Sequence, residues 1–324
     1  MLVRGLGLFS LLIMLGGPAM AAPDAELPAL ETLWDFAQPA KSETAFREAL
    51  GRARTAGNHD YAVQALTQIA RAQVLQQNFD AAHRTLDEAE TELGDRDLPL
   101  ARMRYVLERA RAWDSPAHPK PRKQTEKARV LFLESIDYGK RHKLDAYTID
   151  AIHMLGIIEP PDQQIAWNLQ AIEMAERSTD AKARKWLGPL LNNTGWSYHD
   201  VGQYDKALEL FQRGWEHWKT QTDVKATLIA KWTVGRAMRS LGRLAEALAL
   251  QTSLLEDWKA AGIEESGYAS EEIGECLWAL GRRAEAREHF ALAFARLSAH
   301  ESWLAQEEPA RLERLKRLGA GAAE

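Results

Sequence analysis

His300-Glu301-Ser302-Trp303-Leu304 opens like a zinc-hydrolase signature, in which two histidines one helical turn apart hold the metal and the glutamate between activates water. Leu304 stands where the second histidine is needed. None of the nine histidines lies three or four residues from another, so no helical metal pair forms. The nucleophile elbow Gly-x-Ser-x-Gly and the phosphate loop Gly-x4-Gly-Lys-Ser/Thr are both missing. Cys276, the one cysteine, sits in an apolar helical pattern without a thiol-protease motif and reads as a small buried hydrophobe. Asn192-Asn193-Thr194 fits a glycosylation acceptor but falls within helical periodicity, where packing is the better reading. Lys120, Arg122, Lys123 and Lys127 read as a solvated basic loop, with an anionic docking site as the alternative. No catalytic residue, metal ligand or cofactor site is assigned, and the chain is read as a non-enzyme.

Those residues need elements to hold them, and the N-terminus must first be set apart. Leu6 to Leu15 is an uninterrupted apolar run behind Arg4, followed by Gly16-Gly17-Pro18 and the small-x-small signal Ala19-Met20-Ala21. This is the layout of a secretory signal peptide over residues 1–21, too short to span a bilayer as a helix. The expectation is a periplasmic or secreted protein, cleaved near Ala21, with no membrane span afterwards. A formal charge of −5, one unit more negative without Arg4, argues against a nucleic-acid surface, which needs a basic field. A single cysteine allows no internal disulfide, so packing must supply the stability.

Repetition is the main organising feature of the remainder. Gly195, Gly235 and Gly274 are followed in step by Gly202, Gly242 and Gly281 and by Ala207, Ala247 and Ala286, a period near 40. Leu208, Phe211, Trp215 and Trp218 form one apolar stripe of a helix. Gly202 follows Val201 where a left-handed residue commonly ends a helix. Each unit thus reads as a helix, a tight turn and a second helix, with Gly195 and Ala207 permitting close approach. The best-matched units are about 188–221, 226–261 and 267–299. Weaker ones cover 27–178: a degenerate pair at 27–56, then 59–93, 98–143 with a proline-rich turn at 115–121, and 144–178. A polar helix at 300–319, carrying Trp303, Leu304, Leu312 and Leu315, is expected to cap the stack.

Leu191, Gly195, Tyr198, Gly202, Tyr204, Ala207, Phe211 and Gly214 resemble the tetratricopeptide repeat pattern. Gly235, Gly242 and Ala247 repeat it, with Gln251 where an aromatic is usual; Gly274, Gly281, Ala286, Phe290 and Ala293 repeat it again. The longer period resembles long-helix variants of the family, here of an exported bacterial type. The resemblance implies an all-α, right-handed superhelical solenoid of stacked antiparallel helix pairs over residues 22–324.

It also implies a ligand-gripping concave face built from the first helix of each unit. Carried over by position, that face holds Asn192, Trp196 and His199, then Trp232, Arg236 and Arg239, then Glu271, Glu275 and Trp278. Arg71, Arg109 and His153 are the upstream equivalents. The chemistry suits a protein or extended peptide, with Asn bonding a backbone from both sides, Arg pairing a carboxylate and Trp anchoring the contact. Glu271 and Glu275 suggest a basic ligand at the C-terminal end, and Arg236 and Arg239 an acidic or polar one. Trp196, Trp232 and Trp278 have core packing as their alternative. The expected function is an exported scaffold binding its partner through this groove without catalysis. An accessory subunit positioning substrate for a separate envelope enzyme, or a hydrolase whose site shows no motif, are the alternatives.

Overall fold

A computed structural model describes residues 27–114 and 122–321. The expected signal peptide at 1–21, and the proline-rich turn at 115–121, lie outside the described residues. All regular structure among the described residues is helical. The chain divides between Arg96 and Asp97 into two compact units, where the sequence suggested one continuous array.

In the first unit a 3-10 turn, Leu30–Leu33, leads into α1 (Pro39–Thr55), α2 (His59–Leu75) and α3 (Phe79–Leu93). Residues 27–56 therefore supply one helix, not a pair. The Trp34 to Phe36 stretch is irregular, its rings stacked at 4.6 Å, and Pro39 starts α1 in its first turn, where a missing N–H costs nothing. The Asn58 side chain caps α2 by accepting from the Tyr61 N–H at 3.0 Å. Phe46, Leu66, Ile69, Ala82 and Leu86 form its buried core.

The second unit runs α4 (Pro99–Trp113), α5 (Arg122–Arg141), α6 (Asp145–Ile158), α7 (Pro161–Arg177) and the single-turn α8 (Ala181–Arg184). Then follow α9 (Leu187–Asp200), α10 (Tyr204–Lys219), α11 (Val224–Ser240), α12 (Leu244–Ala260), α13 (Tyr268–Ala279), α14 (Arg283–His300), α15 (Leu304–Glu307) and α16 (Pro309–Gly319). The α9–α10, α11–α12 and α13–α14 pairs occupy the three units with the clearest repeat pattern. Gly195 explains their spacing: a Cβ there would stand 2.4 Å from Phe211 Cε1, so the ring lies directly on the α9 backbone. Phe290 approaches Gly274 in the same way, and the buried Gln251 side chain approaches Gly235.

Gly202 has φ +76° and closes the α9–α10 turn, with its N–H on His199 O and the next N–H on Tyr198 O, both at 2.9 Å. Upstream the same left-handed position is held by Gln77 in the α2–α3 turn, at φ 62°, and Lys143 at φ 56° takes the left-handed place between α5 and α6 that Gly262 takes between α12 and α13. The expected single helix at 300–319 is broken. Pro309 has no N–H to donate back to α15, so it begins a new helix. Leu312, Leu315 and Leu318 of α16 are buried with Ile273, Leu277, Phe290 and Leu297, so the apolar face of this helix is covered within its own chain.

Candidate partner-binding face

Residues one 40-residue period apart occupy equivalent positions on α9, α11 and α13, and aromatic side chains one helical turn short of that period meet across the helices. Trp196 of α9 lies 5.8 Å from Trp232 of α11, which lies 5.6 Å from Tyr268 of α13. The Arg311 guanidinium of α16 is 5.6 Å from the Tyr268 ring, so aromatic and cationic groups form a ladder across four helices. Trp196, Trp232 and Tyr268 are all half-buried, each presenting part of its surface to solvent. Trp232 Nε1 is buried without a hydrogen-bond partner.

Beside the ladder runs a charged row. Arg239 donates to both carboxylate oxygens of Glu272, at 2.6 and 3.0 Å, while Arg236 holds the same carboxylate at 3.3 Å. Two guanidinium groups thus share one carboxylate that is 4% exposed. Burial and the neighbouring Arg239 cation push the Arg236 pKa below its usual value despite Glu272. Arg236 also donates to Ser240 Oγ. Burial lowers the His199 pKa below the ordinary imidazole value, with Arg236 adding repulsion. The imidazole Nε2 is 2.9 Å from Ser240 Oγ, and the ring packs edge-on to Trp196 at 5.1 Å.

At the far end the sequence suggested free negative charge. Glu271 instead receives Arg311 at 2.8 Å, and Glu275 is paired with Arg314. Burial still holds the Glu271 carboxyl above the usual range, against the pull of Arg311. Both carboxylates are neutralised by α16, so the basic ligand expected at this end finds no uncommitted carboxylate in these two residues. Arg311 stands one period after Glu271, a spacing that could have flagged α16 as a stand-in for the next first helix. Arg314, Tyr268 and Glu272 also escaped the reading, since none of them stands at a position the repeat pattern marks as ligand-gripping.

Asn192 lies on the same face of α9, its amide donating to Asn193 Oδ1 at 3.2 Å. Trp278 turns aside to pack against Phe290 of α14 at 6.1 Å, with Arg283 over its ring at 4.9 Å. Of the upstream equivalents, Arg71 belongs to the first unit and lies 5.9 Å from the Trp34 ring. Arg109 stacks on Tyr105 of its own helix at 5.4 Å, and His153 packs against Trp186 at 5.6 Å. Burial lowers the His153 pKa, and Asn168 Oδ1 is 3.4 Å from its Nδ1. Among the described residues no group of three His, Cys, Asp or Glu side chains is placed to hold a metal ion. Burial pushes the Cys276 thiol up to about 12, leaving it a poor nucleophile. No helix of the described residues is long and apolar enough to cross a membrane.

No protein-family model and no curated protein matches this sequence. Solved structures do match in fold. A signal transduction ATPase with numerous domains and a tetratricopeptide repeat sensor, from Pyrococcus horikoshii, matches with TM-score 0.65 and 13% identity over 87% of this chain; the match spans 42% of that protein. BtubC from P. vanneervenii matches with TM-score 0.53 and 15% identity, over 74% of this chain and 94% of its own. Aspartyl phosphate phosphatase F from Bacillus subtilis matches with TM-score 0.51 and 15% identity, over 91% of this chain and 80% of its own. At such identities the likeness concerns architecture, and it agrees with the repeat pattern of residues 188–299. The fold of the chain is that of helical-repeat proteins of the tetratricopeptide kind.

Proposed function

We propose that this chain is an exported, non-catalytic scaffold that binds a protein or extended peptide on the face shared by α9, α11, α13 and α16. Helical-repeat arrays present rows of equivalent side chains along stacked helices, and an extended ligand can track such a row. The observation that carries the reading is the half-buried ladder Trp196–Trp232–Tyr268, flanked by Arg236, which shares one carboxylate with Arg239. Aromatic and arginine anchors are the side chains that most often dominate recognition. Their mutual contacts hold them in place before a partner arrives, which lowers the entropic cost of binding. The step from this fold to binding is an analogy, and the residues of the face give it content.

The test is affinity capture from periplasmic extract with the leaderless chain and with its Arg236→Glu variant. A partner captured by the first and lost from the second, with unchanged thermal unfolding, supports the reading. Equal capture by both sinks it. Export is checked by the mass of the protein recovered from the periplasm or medium, which should begin at Ala22.

A further inference from the structure

The repeat junctions are not packed alike. Between α11 and α13 the interface is filled by Trp232, Tyr268, Leu228 and Leu254, with Trp258 behind them. One period earlier, between α9 and α11, those positions hold Asn192, Ile229, Gly188 and Gly214, with Trp218 in the place of Trp258. Four large side chains are replaced by smaller ones, and a cleft of about 170 Å³ opens there, walled by Asn192, Gly214, Trp218, Ile229 and Thr233. Trp218 partly compensates by packing on Gly188, where a Cβ would stand 2.5 Å from its indole. Gly214 has no such excuse: a Cβ there would meet nothing closer than Leu191 Cβ at 3.6 Å. Packing tolerates a larger residue at 214, and its smallness leaves the space open. Ile229 at the mouth is 43% exposed.

We infer that this cleft seats one large apolar side chain of an extended peptide, whose acidic residue two positions away pairs with Arg236. The inference rests on the proposed binding face and specifies its ligand. Three observations carry it. The volume falls below the roughly 300–1,000 Å³ of pockets for whole small-molecule ligands, so the cleft suits a single side chain. The walls are mainly apolar, with Asn192 at the face to meet a peptide backbone. Charge complementarity fixes the neighbour, because along α11 Arg236 lies about 4.5 Å of helix rise beyond the buried wall residue Thr233 and about 10.5 Å beyond Ile229 at the mouth. Alternate residues of an extended chain are about 6.7 Å apart, a step that falls between the two. Arg236 must share the Glu272 carboxylate with Arg239, which leaves cationic character for a ligand carboxylate.

The probe is a fluorescein-labelled Gly-Ser-Phe-Ser-Asp-Ser-Gly amide, compared with versions carrying Ala for Phe or Asn for Asp. The receptor is the leaderless chain, alongside Asn192→Trp/Ile229→Tyr, which rebuilds the filled junction, and Arg236→Gln. Thermal unfolding shows whether each variant is folded, and Gly214→Leu is a second way to fill the cleft. The wild type should bind the Phe-Asp peptide about tenfold or more tightly than the Ala version, the free-energy scale of one buried apolar side chain. The filled variants should lose that preference, and Arg236→Gln should lose the preference for Asp over Asn. No binding of the Phe-Asp peptide to the wild type, or a Phe preference surviving in the folded filled variants, overturns the inference. So does a wild-type dimer that the filled variants dissociate, since a second copy would then occupy the cleft. If filling the cleft leaves natural partner capture intact while Arg236→Glu abolishes it, the face stands and the cleft falls.

Discussion

Phe211 of α10 packs against the α-carbon of Gly195 in α9, with room for hydrogen but not for a methyl group. Gly195→Ala therefore forces a rigid, fully buried ring to move. We expect a loss of about 1–3 kcal/mol from overpacking, reduced by the better helix propensity of alanine. Gly51→Ala is the control: nothing lies within 4 Å of a Cβ in the middle of α1, and stability should rise by up to about 1 kcal/mol. Urea unfolding of the two variants measures both signs.

Arg311→Gln should be costly for a different reason. It leaves the Glu271 carboxylate, 8% exposed, without its guanidinium and removes one of the two ion pairs that tie α16 to α13. Removing one partner of a buried pair costs about 3–5 kcal/mol; solvent access to Arg311 places this one at the lower end. Glu271→Gln with Arg311→Gln should recover much of the loss. A double-mutant cycle on unfolding free energies checks the coupling, and strict additivity would refute it.

Gln251 fills a position where the flanking repeats have Phe211 and Phe290. It is fully buried, its Nε2 donates to Trp232 O at 3.0 Å, and its Oε1 has no partner. An unpaired buried acceptor costs more than one neutral hydrogen bond returns. Gln251→Met, of similar length and without the amide, should raise stability by up to about 1 kcal/mol. A lower unfolding midpoint in urea would contradict this.

Acid should weaken the fold before the carboxylates titrate. His153, His199, His217 and His289 are all held below the ordinary imidazole value of 6.5, burial being the first cause in each. The unfolded chain takes up these protons first as the pH falls. The stability from the neutral rings is thus present above about pH 6.5 and is lost towards their lower native pKa values. Unfolding midpoints at pH 8 and pH 5.5 should differ, and His153→Gln should shrink the difference. An unchanged difference would remove His153 from the explanation.

Much of the architecture was legible because three repeats use glycine twice for reasons of geometry. Gly195 and its equivalents permit close approach, and Gly202 and its equivalents adopt a left-handed turn. Upstream Gln77 takes the place of Gly202 in the α2–α3 turn, and Gly156 faces the Asn168 amide instead of an aromatic ring, so the pattern fades although the helices persist. The first pair was over-read: before α1 there is only one 3-10 turn, and the stretch after it is irregular, with Trp34 and Phe36 stacked on each other. The period put Trp196 and Trp232 on candidate face positions, but their rings meet one helical turn short of it, and Tyr268 went unnoticed. The charge balance was not legible either, because the partners of Glu271 and Glu275 sit on α16, outside the repeat pattern. The cleft escaped as well, since it arises from what four side chains lack relative to the next repeat.

Trp218 gives the cleft one more property. Its indole lines the cavity and rests on the Gly188 backbone, so a seated side chain would displace water from beside a natural fluorophore. Occupancy can then be followed without a label, as the part of the intrinsic emission change that vanishes in Trp218→Phe. The remaining ten tryptophans supply an internal baseline for that difference.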